Sequence, residues 1–264
     1  MVAHTERMVS VRGGMFNVQV AEGGSGDPLV YLHGAGGYVG WPNFLDRLAE
    51  DYHVYAPAHP GVSKSTGLNH LDDLWDLVQF FEEFLDALGV ERCHLIGHSY
   101  GGFCAAELAA HRPDRISRLV LVNSLGLWLE DKPVADFFIL TPDERREMLW
   151  YDSEGELAHA YVAQPTEPEA RLEHTLDRIQ TLQSVAKFTW PIPERGLTKR
   201  AHRIVMPTLI VWGDSDQVIP PEYGEAFRDL LPNATLTVIP QCGHIPQLER
   251  PEAFFDTVLG FLHD

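Results

Sequence analysis

Six short apolar runs, separated by stretches with helical spacing, constrain the fold of this chain more than any other feature. The runs lie at 29–32, 54–56, 93–96, 119–122, 208–212 and 235–239. Their apolar residues do not alternate with polar ones, which is typical of strands buried on both faces. Helical spacing recurs at 41–50, 71–88, 99–111, 221–231 and 251–262. The pattern predicts an α/β fold in which helices flank a mostly parallel sheet, with an antiparallel hairpin over 8–21 at one edge.

The alternation stops after residue 124, which predicts an inserted helical cap. Three helical stretches follow one another without a convincing strand, at 141–150, 154–163 and 167–188. We therefore expect a core domain formed by residues 1–124 and 207–264, and a cap, or lid, formed by residues 125–206. We expect the aromatic residues of the cap to form an apolar pocket. Its shape depends on the crossing angles of the cap helices and on the rotamers of Trp128, Phe138, Trp150 and Trp190.

Composition argues against several classes of function. The net charge of -18 and the lack of a Lys/Arg stripe disfavour binding to nucleic acid. No stretch has the roughly eighteen apolar residues of a membrane span, and no targeting pattern is present. Three well-separated cysteines do not suggest a disulfide framework, which favours a reducing cytoplasm. The composition is still compatible with a local basic pocket for an anionic substrate, because the central stretch holds four arginines: Arg145, Arg146, Arg171 and Arg178.

The segment Gly97-His98-Ser99-Tyr100-Gly101 joins the apolar run 93–96 to an alanine-rich helical stretch. Glycines two residues before and after Ser99 let a strand and a helix approach closely, which holds the serine in a strained turn with its hydroxyl exposed. The pattern predicts a nucleophile. A serine at a helix start can also be an ordinary N-cap. Other motifs in the chain are needed to distinguish the nucleophile from a capping serine.

A nucleophilic serine needs a base and an acid that orients the base. His244 follows the run 235–239 directly after a glycine, whereas the later His263 lies at the frayed terminus. Two candidate acids follow the run 208–212. Asp216 lies further out on its loop, and Asp214 is better placed to bond the loop's own amides. From the residues alone, Asp216 is the favoured acid and Asp214 remains the alternative.

The glycine-rich loop at 33–37 follows the first core strand and can turn backbone N–H groups inward. An oxyanion needs two such donors. We expect them to be the amides of Ala35 and of Tyr100, the residue after the nucleophile. The oxyanion loop, serine, acid and histidine then follow one another in the chain, each at the carboxyl end of a predicted strand.

Over nearly its whole length the chain resembles the α/β-hydrolase superfamily. The resemblance rests on the motifs around His33-Gly34, Ser99 and His244, and on the acidic loop that ends at Pro220. It places the triad acid four residues before this proline, which raises Asp216 above Asp214. It also implies that no metal or organic cofactor is required. The segment 57–65 departs from the family pattern at Ala58, His59 and Val62.

Serine at position 99 separates this chain from relatives that attack with a carboxylate. The resemblance implies hydrolysis of a small, apolar carboxylic ester or lactone through an acyl-enzyme on Ser99. The alternative is hydrolysis of a carbon–carbon bond in a ring-fission diketone. Enzymes of that group usually have asparagine before the nucleophile and tryptophan after the histidine, whereas this chain has His98 and Ile245. We expect His98 to pack or hydrogen-bond rather than act as a second base. A third hypothesis is a ligand receptor that retains the triad.

Overall fold

A computed structural model of the protein describes residues 2–38 and 40–264. Eight strands form one sheet in the order β1-β2-β4-β3-β5-β6-β7-β8. The strands are β1 His4–Val11, β2 Phe16–Gly23, β3 Asp27–Leu32, β4 Tyr52–Pro57, β5 Cys93–His98, β6 Ile116–Val122, β7 Thr208–Gly213 and β8 Ala234–Ile239. From β4 to β8 every neighbouring pair is parallel, and β1 and β2 form the antiparallel edge. The predicted α/β sheet and its edge hairpin are confirmed.

Helices cover both faces of this sheet. They are α1 Asn43–Ala49, α2 Leu74–Leu88, α3 Tyr100–His111, α4 Pro142–Leu149, α5 Glu156–Val162, α6 Pro168–Thr189, α7 Leu197–Arg200, α8 Glu222–Leu230, α9 Pro246–Glu249 and α10 Pro251–His263. On one face α1 and α10 pack apolar residues against the strands; on the other, α2, α3 and α8 do so. Each buried phenylalanine contributes about 1.5–3 kcal/mol. This two-sided burial explains why the inner strands β3 to β7 have no regular polar alternation.

The segment between β6 and β7 contains α4 to α7, and no strand is found in its described residues. Helix α4 begins at a capping box: Thr141 Oγ1 accepts the Glu144 N–H, and the Glu144 carboxylate accepts the Thr141 N–H. This pair satisfies two amides that the helix itself leaves free. In the described part of the chain, no helix combines the length and apolar character needed to cross a membrane.

The parallel arrangement positions the site. Ser99 follows β5, Asn123 follows β6 and Asp216 follows β7, and these strands are neighbours in the sheet. Because parallel strands end at the same edge, residues that follow them gather in one crevice.

Candidate active site

Ser99 lies on the turn between β5 and α3 with φ 54° and ψ -114°. A positive φ is uncommon for a residue with a side chain. A Cβ on Gly97 would overlap the backbone of Gly101, and a Cβ on Gly101 would overlap the carbonyl oxygen of Leu32. These contacts explain why both flanking positions are glycine. In the described residues the Ser99 side chain makes no N-cap hydrogen bond, unlike an ordinary capping serine.

His244 and Asp216 are in direct contact. The Nδ1–H of His244 donates to Oδ2 of Asp216 at 2.7 Å. The Asp216 carboxylate also accepts the N–H groups of Val218 at 2.8 Å and Ile219 at 3.0 Å. With Nδ1 carrying the proton, the imidazole keeps Nε2 free as an acceptor. The geometry holds one orientation and one tautomer of His244.

Asp214, the other candidate acid, is exposed. Its Oδ1 accepts the Ser215 hydroxyl at 2.7 Å and the N–H of Cys242 at 3.3 Å. It therefore ties together the two loops that follow β7 and β8, and His244 is bonded to Asp216 instead.

The loop expected to stabilise the oxyanion is held by two buried histidines. Gly37 N–H donates to Gly34 O at 3.2 Å and closes a turn around Ala35. His33 Nδ1–H donates to Gly34 O at 2.8 Å, and its Nε2 accepts the N–H of His59 at 3.2 Å. His59 Nε2–H donates back to His33 O at 2.9 Å. His59, which departs from the family pattern, thus supports this loop. Tyr100 is the first residue of α3, so its N–H has no acceptor within the helix.

Ser99, His98 and His244 line one cavity of about 390 Å³, a volume typical of small-molecule sites. Ala35 lies on the same wall. The opposite wall comes from the segment between β6 and β7. Apolar side chains form much of the lining: Phe137, Leu140, Leu149, Leu182, Val218 and Ile245.

The sequence pattern of the Alpha/beta hydrolase family matches residues 29–257. The chain belongs to this family. This hydrolase is 31% identical over 288 residues to the 2-hydroxy-6-oxononadienedioate/2-hydroxy-6-oxononatrienedioate hydrolase of Burkholderia vietnamiensis, covering 99% of this chain and 98% of that protein. It is 28% identical over 267 residues to the 2-hydroxy-6-oxo-6-phenylhexa-2,4-dienoate hydrolase of Burkholderia cepacia, covering 94% and 91%.

A solved structure with the same fold is that of the meta-cleavage product hydrolase from Pseudomonas fluorescens. The TM-score is 0.79 at 22% identity, and the match covers 99% of this chain and 98% of that chain.

The sequence analysis missed one residue of this hydrolase's site, Asn123, and expected another, His98, to pack or hydrogen-bond. Asn123 follows β6 with φ 43°, and its Nδ2 donates to Asp216 Oδ2 at 2.6 Å. Its place directly after the apolar run 119–122 could have marked it. His98 Nε2–H donates to the carbonyl oxygen of His244 at 2.8 Å. Burial and the neighbouring His244 lower the pKa of His98 to about 3, so its ring is neutral.

The four cap arginines separate into two groups. Arg145 and Arg178 line the cavity, and in the described residues neither has an ion pair or a hydrogen bond. Arg146 pairs with Glu154, and Arg171 is exposed on α6. Burial and the nearby Arg145 charge lower the pKa of Arg178 to about 10. Both cavity guanidinium groups remain charged at neutral pH.

The aromatic residues of this segment that line the cavity are not the four named from the sequence. None of Trp128, Phe138, Trp150 and Trp190 is among the described lining residues; Phe137 and Tyr161 are the aromatic residues that the segment contributes. Trp150 is buried behind Tyr161, with ring centroids 5.6 Å apart. Trp190 is 51% exposed, and its ring meets that of Phe138 edge-on.

Proposed function

We propose that this hydrolase cleaves a carbon–carbon bond next to a ketone in an acidic dienoate. This replaces the sequence-based expectation of ester hydrolysis. The names of the two relatives describe substrates with a ketone and at least one carboxylate but no ester. Hydrolytic fission of such a molecule breaks a carbon–carbon bond beside the carbonyl. These relatives support the alternative interpretation despite His98 and Ile245.

The observation that carries the proposal is the pair Arg145 and Arg178 on the wall of the cavity that Ser99 lines. Burying a charge without a partner is costly, and the Nε of Arg145 is buried without a hydrogen-bond partner in the described residues. A substrate carboxylate would supply the missing charge and acceptors, since guanidinium and carboxylate form strong paired hydrogen bonds. A neutral ester would leave both arginines unpaired.

The chemistry follows from the residues that surround the cavity. Ser99 adds to the ketone carbon while His244 Nε2 takes its proton, and Asp216 holds the resulting imidazolium. The amides of Ala35 and Tyr100 stabilise the oxyanion. Before this addition the dienol tautomerises to its keto form, by loss of the enol O–H proton and gain of a proton at the carbon beside the ketone, because a vinyl carbanion is a poor leaving group. When the oxyanion collapses, the carbon–carbon bond breaks, its electron pair is delocalised as the dienolate of the keto acid, and the dienolate takes the proton from His244. Water then attacks the acyl group on Ser99, so that one substrate and one water give two acids.

Residues 125–206 serve in this proposal as the cap, with residues 1–124 and 207–264 as the core. Support comes from the cavity, whose core wall holds Ser99 and His244 and whose other wall holds Arg145 and Arg178. We also propose that the protein works in the cytoplasm. Its three cysteines are free and buried, which suits a reducing compartment.

Steady-state kinetics on two substrates test the reaction. We expect a higher kcat/KM for a 6-phenyl ring-fission dienoate than for a neutral nitrophenyl ester. A higher value for the ester would restore the ester interpretation. One turnover per Ser99, with no further product, would favour the receptor hypothesis over both.

Substitution of one arginine tests the carboxylate site. Arg178→Gln should lower kcat/KM for the dienoate by about tenfold to a hundredfold, because a hydrogen bond to a charged group contributes about 1.5–3 kcal/mol. Turnover of the neutral ester should change little. The matched control is Arg171→Gln, which removes an exposed arginine from the same helix. Equal losses on both substrates would contradict a role in binding the carboxylate.

A further inference from the structure

The backbone around His244 is held between the core and the segment that follows α4. On the core side, the His244 carbonyl oxygen accepts the Nε2–H of His98 at 2.8 Å. On the other side, the His244 N–H donates to the carbonyl oxygen of Leu149, the last residue of α4, at 2.7 Å. The imidazole can therefore keep its position only while α4 keeps its own.

Glu249, at the end of α9, joins the same two segments with one carboxylate. Its Oε1 accepts the N–H of Gly243 at 2.9 Å, and its Oε2 accepts the N–H of Tyr151 at 2.8 Å. Gly243 lies directly before His244, and Tyr151 lies two residues after the end of α4. Each carboxylate oxygen thus holds one side of the contact between the His244 loop and the cap.

The contact is too close for a side chain at position 243. A Cβ on Gly243 would lie 2.5 Å from Leu149 O, 2.9 Å from Glu249 Oε1 and 3.0 Å from Tyr151 N. Real Cβ atoms are not found below about 3.0 Å from such atoms. The glycine that the sequence places before the histidine therefore makes room for the cap backbone and for Glu249.

We infer that Glu249 is a positioning residue for His244, and that its carboxylate sets the position of this base together with that of α4. The inference rests on the proposed function, in which His244 activates Ser99. A carboxylate suits this place because two N–H donors converge on it, and a charged acceptor makes the stronger hydrogen bonds. Glutamine would offer one acceptor and turn its own NH₂ donor toward the other amide. Aspartate would keep the charge but lose one methylene of reach.

The rate at which a small fluorophosphonate labels Ser99 tests the inference. Glu249→Gln should lower the labelling rate constant about tenfold or more, since misplacing a catalytic group by 1 Å can cost about a hundredfold. Glu249→Asp, which keeps the charge, should lie between this variant and the wild type. The matched control is Glu252→Gln, which removes an exposed carboxylate from the first turn of α10 and should label at the wild-type rate. Lower stability alone would reduce the labelled fraction and leave the rate constant of the folded molecules unchanged.

Hydrogen exchange tests the connection to the cap. In Glu249→Gln, peptides that contain residues 149–151 and 243–244 should both exchange faster than in the wild type. Faster exchange in 243–244 alone would overturn the coupling to α4. Labelling of folded Glu249→Gln at the wild-type rate would overturn the positioning role. An unlabelled wild-type protein would instead overturn the proposed function, so the two failures are distinguishable.

Discussion

Asp214 and Asp216 lie two residues apart after β7, yet their surroundings differ. Asp216 is 4% exposed and accepts hydrogen bonds from His244, Asn123 and two loop amides. This many donors fix the buried carboxylate in place. In the proposed mechanism it stabilises the imidazolium of His244 after Ser99 has lost its proton.

Asparagine substitutions separate the two acids. Asp216→Asn should lower kcat by roughly a thousandfold to ten-thousandfold, because an amide at this position favours the wrong tautomer of His244. Asp214→Asn, two residues away, should leave kcat within about threefold of the wild type, since this exposed loop residue makes no contact with the imidazole. Both values are measured with the same substrate at saturation. Equal losses from the two variants would contradict the assignment of the acid to Asp216.

At the scale of whole elements, the sequence predicted the sheet better than the cap. Largely apolar runs predicted β3 to β8, and the residues that follow those strands include the proposed nucleophile, acid and base. Helices α7 and α9 were not predicted, because four residues are too few for a helical period to show. Glu249 ends α9, so its contacts could not be foreseen either.

Helix α6 shows why the pocket could not be predicted from hydropathy. Its apolar side chains Leu172, Leu176 and Ile179 are 59%, 48% and 56% exposed. Arg178 and Thr181 instead line the cavity. An amphipathic interpretation turns the apolar side of a helix inward. This fits the buried Val185 and Phe188 near the end of α6 but gives the wrong orientation for the turns from Leu172 to Ile179. Residue type likewise does not reveal which aromatic residues of the cap face the cavity.

One ion pair joins the nucleophile helix to the cap. Glu107 of α3 is 2% exposed and accepts hydrogen bonds from Arg200 of α7, with Nε at 3.0 Å and Nη2 at 2.7 Å. Arg200→Gln should lower the free energy of unfolding by about 1–3 kcal/mol, because it leaves a buried carboxylate without its charged donor. This range allows for the partial exposure of Arg200.

Urea unfolding at neutral pH measures that change. The comparison variant is Arg228→Gln, which breaks an exposed pair with Asp229 and should cost little, as exposed pairs usually contribute less than about 1 kcal/mol. Similar losses in both variants would show that the α3–α7 pair does not stabilise the fold.

The whole molecule carries many acidic groups, yet histidines should govern its stability in mild acid. Burial lowers the pKa of His59 to about 4 and that of His98 to about 3, and it also lowers the pKa of His33. These rings are neutral in the folded protein. In the unfolded chain they bind protons below their usual pKa of about 6.5. Their contribution to stability is therefore complete above about pH 6.5 and is lost as the pH falls toward the folded values.

Thermal or urea unfolding between pH 7 and pH 4.5 checks this expectation. Each of these histidines should remove about 1.4 kcal/mol of stability for each pH unit below 6.5. His59→Gln should make the decline shallower than in the wild type. The control His174→Gln, in the cap, should follow the wild-type curve. An unchanged slope in His59→Gln would contradict this account of acid sensitivity.

The hydrogen bond between His244 N–H and Leu149 O joins two main chains, so it does not depend on which side chains stand at these positions. Side chains along α4 can therefore be exchanged, and substrate preference can change, while this hydrogen bond keeps His244 in position. A change in the length of that helix is different. One residue more or less moves its last carbonyl by about 1.5 Å and turns it by about 100°, which would remove the acceptor. Substrate range in this hydrolase is thus open to point substitution, whereas an insertion or deletion in α4 would displace His244, the proposed base.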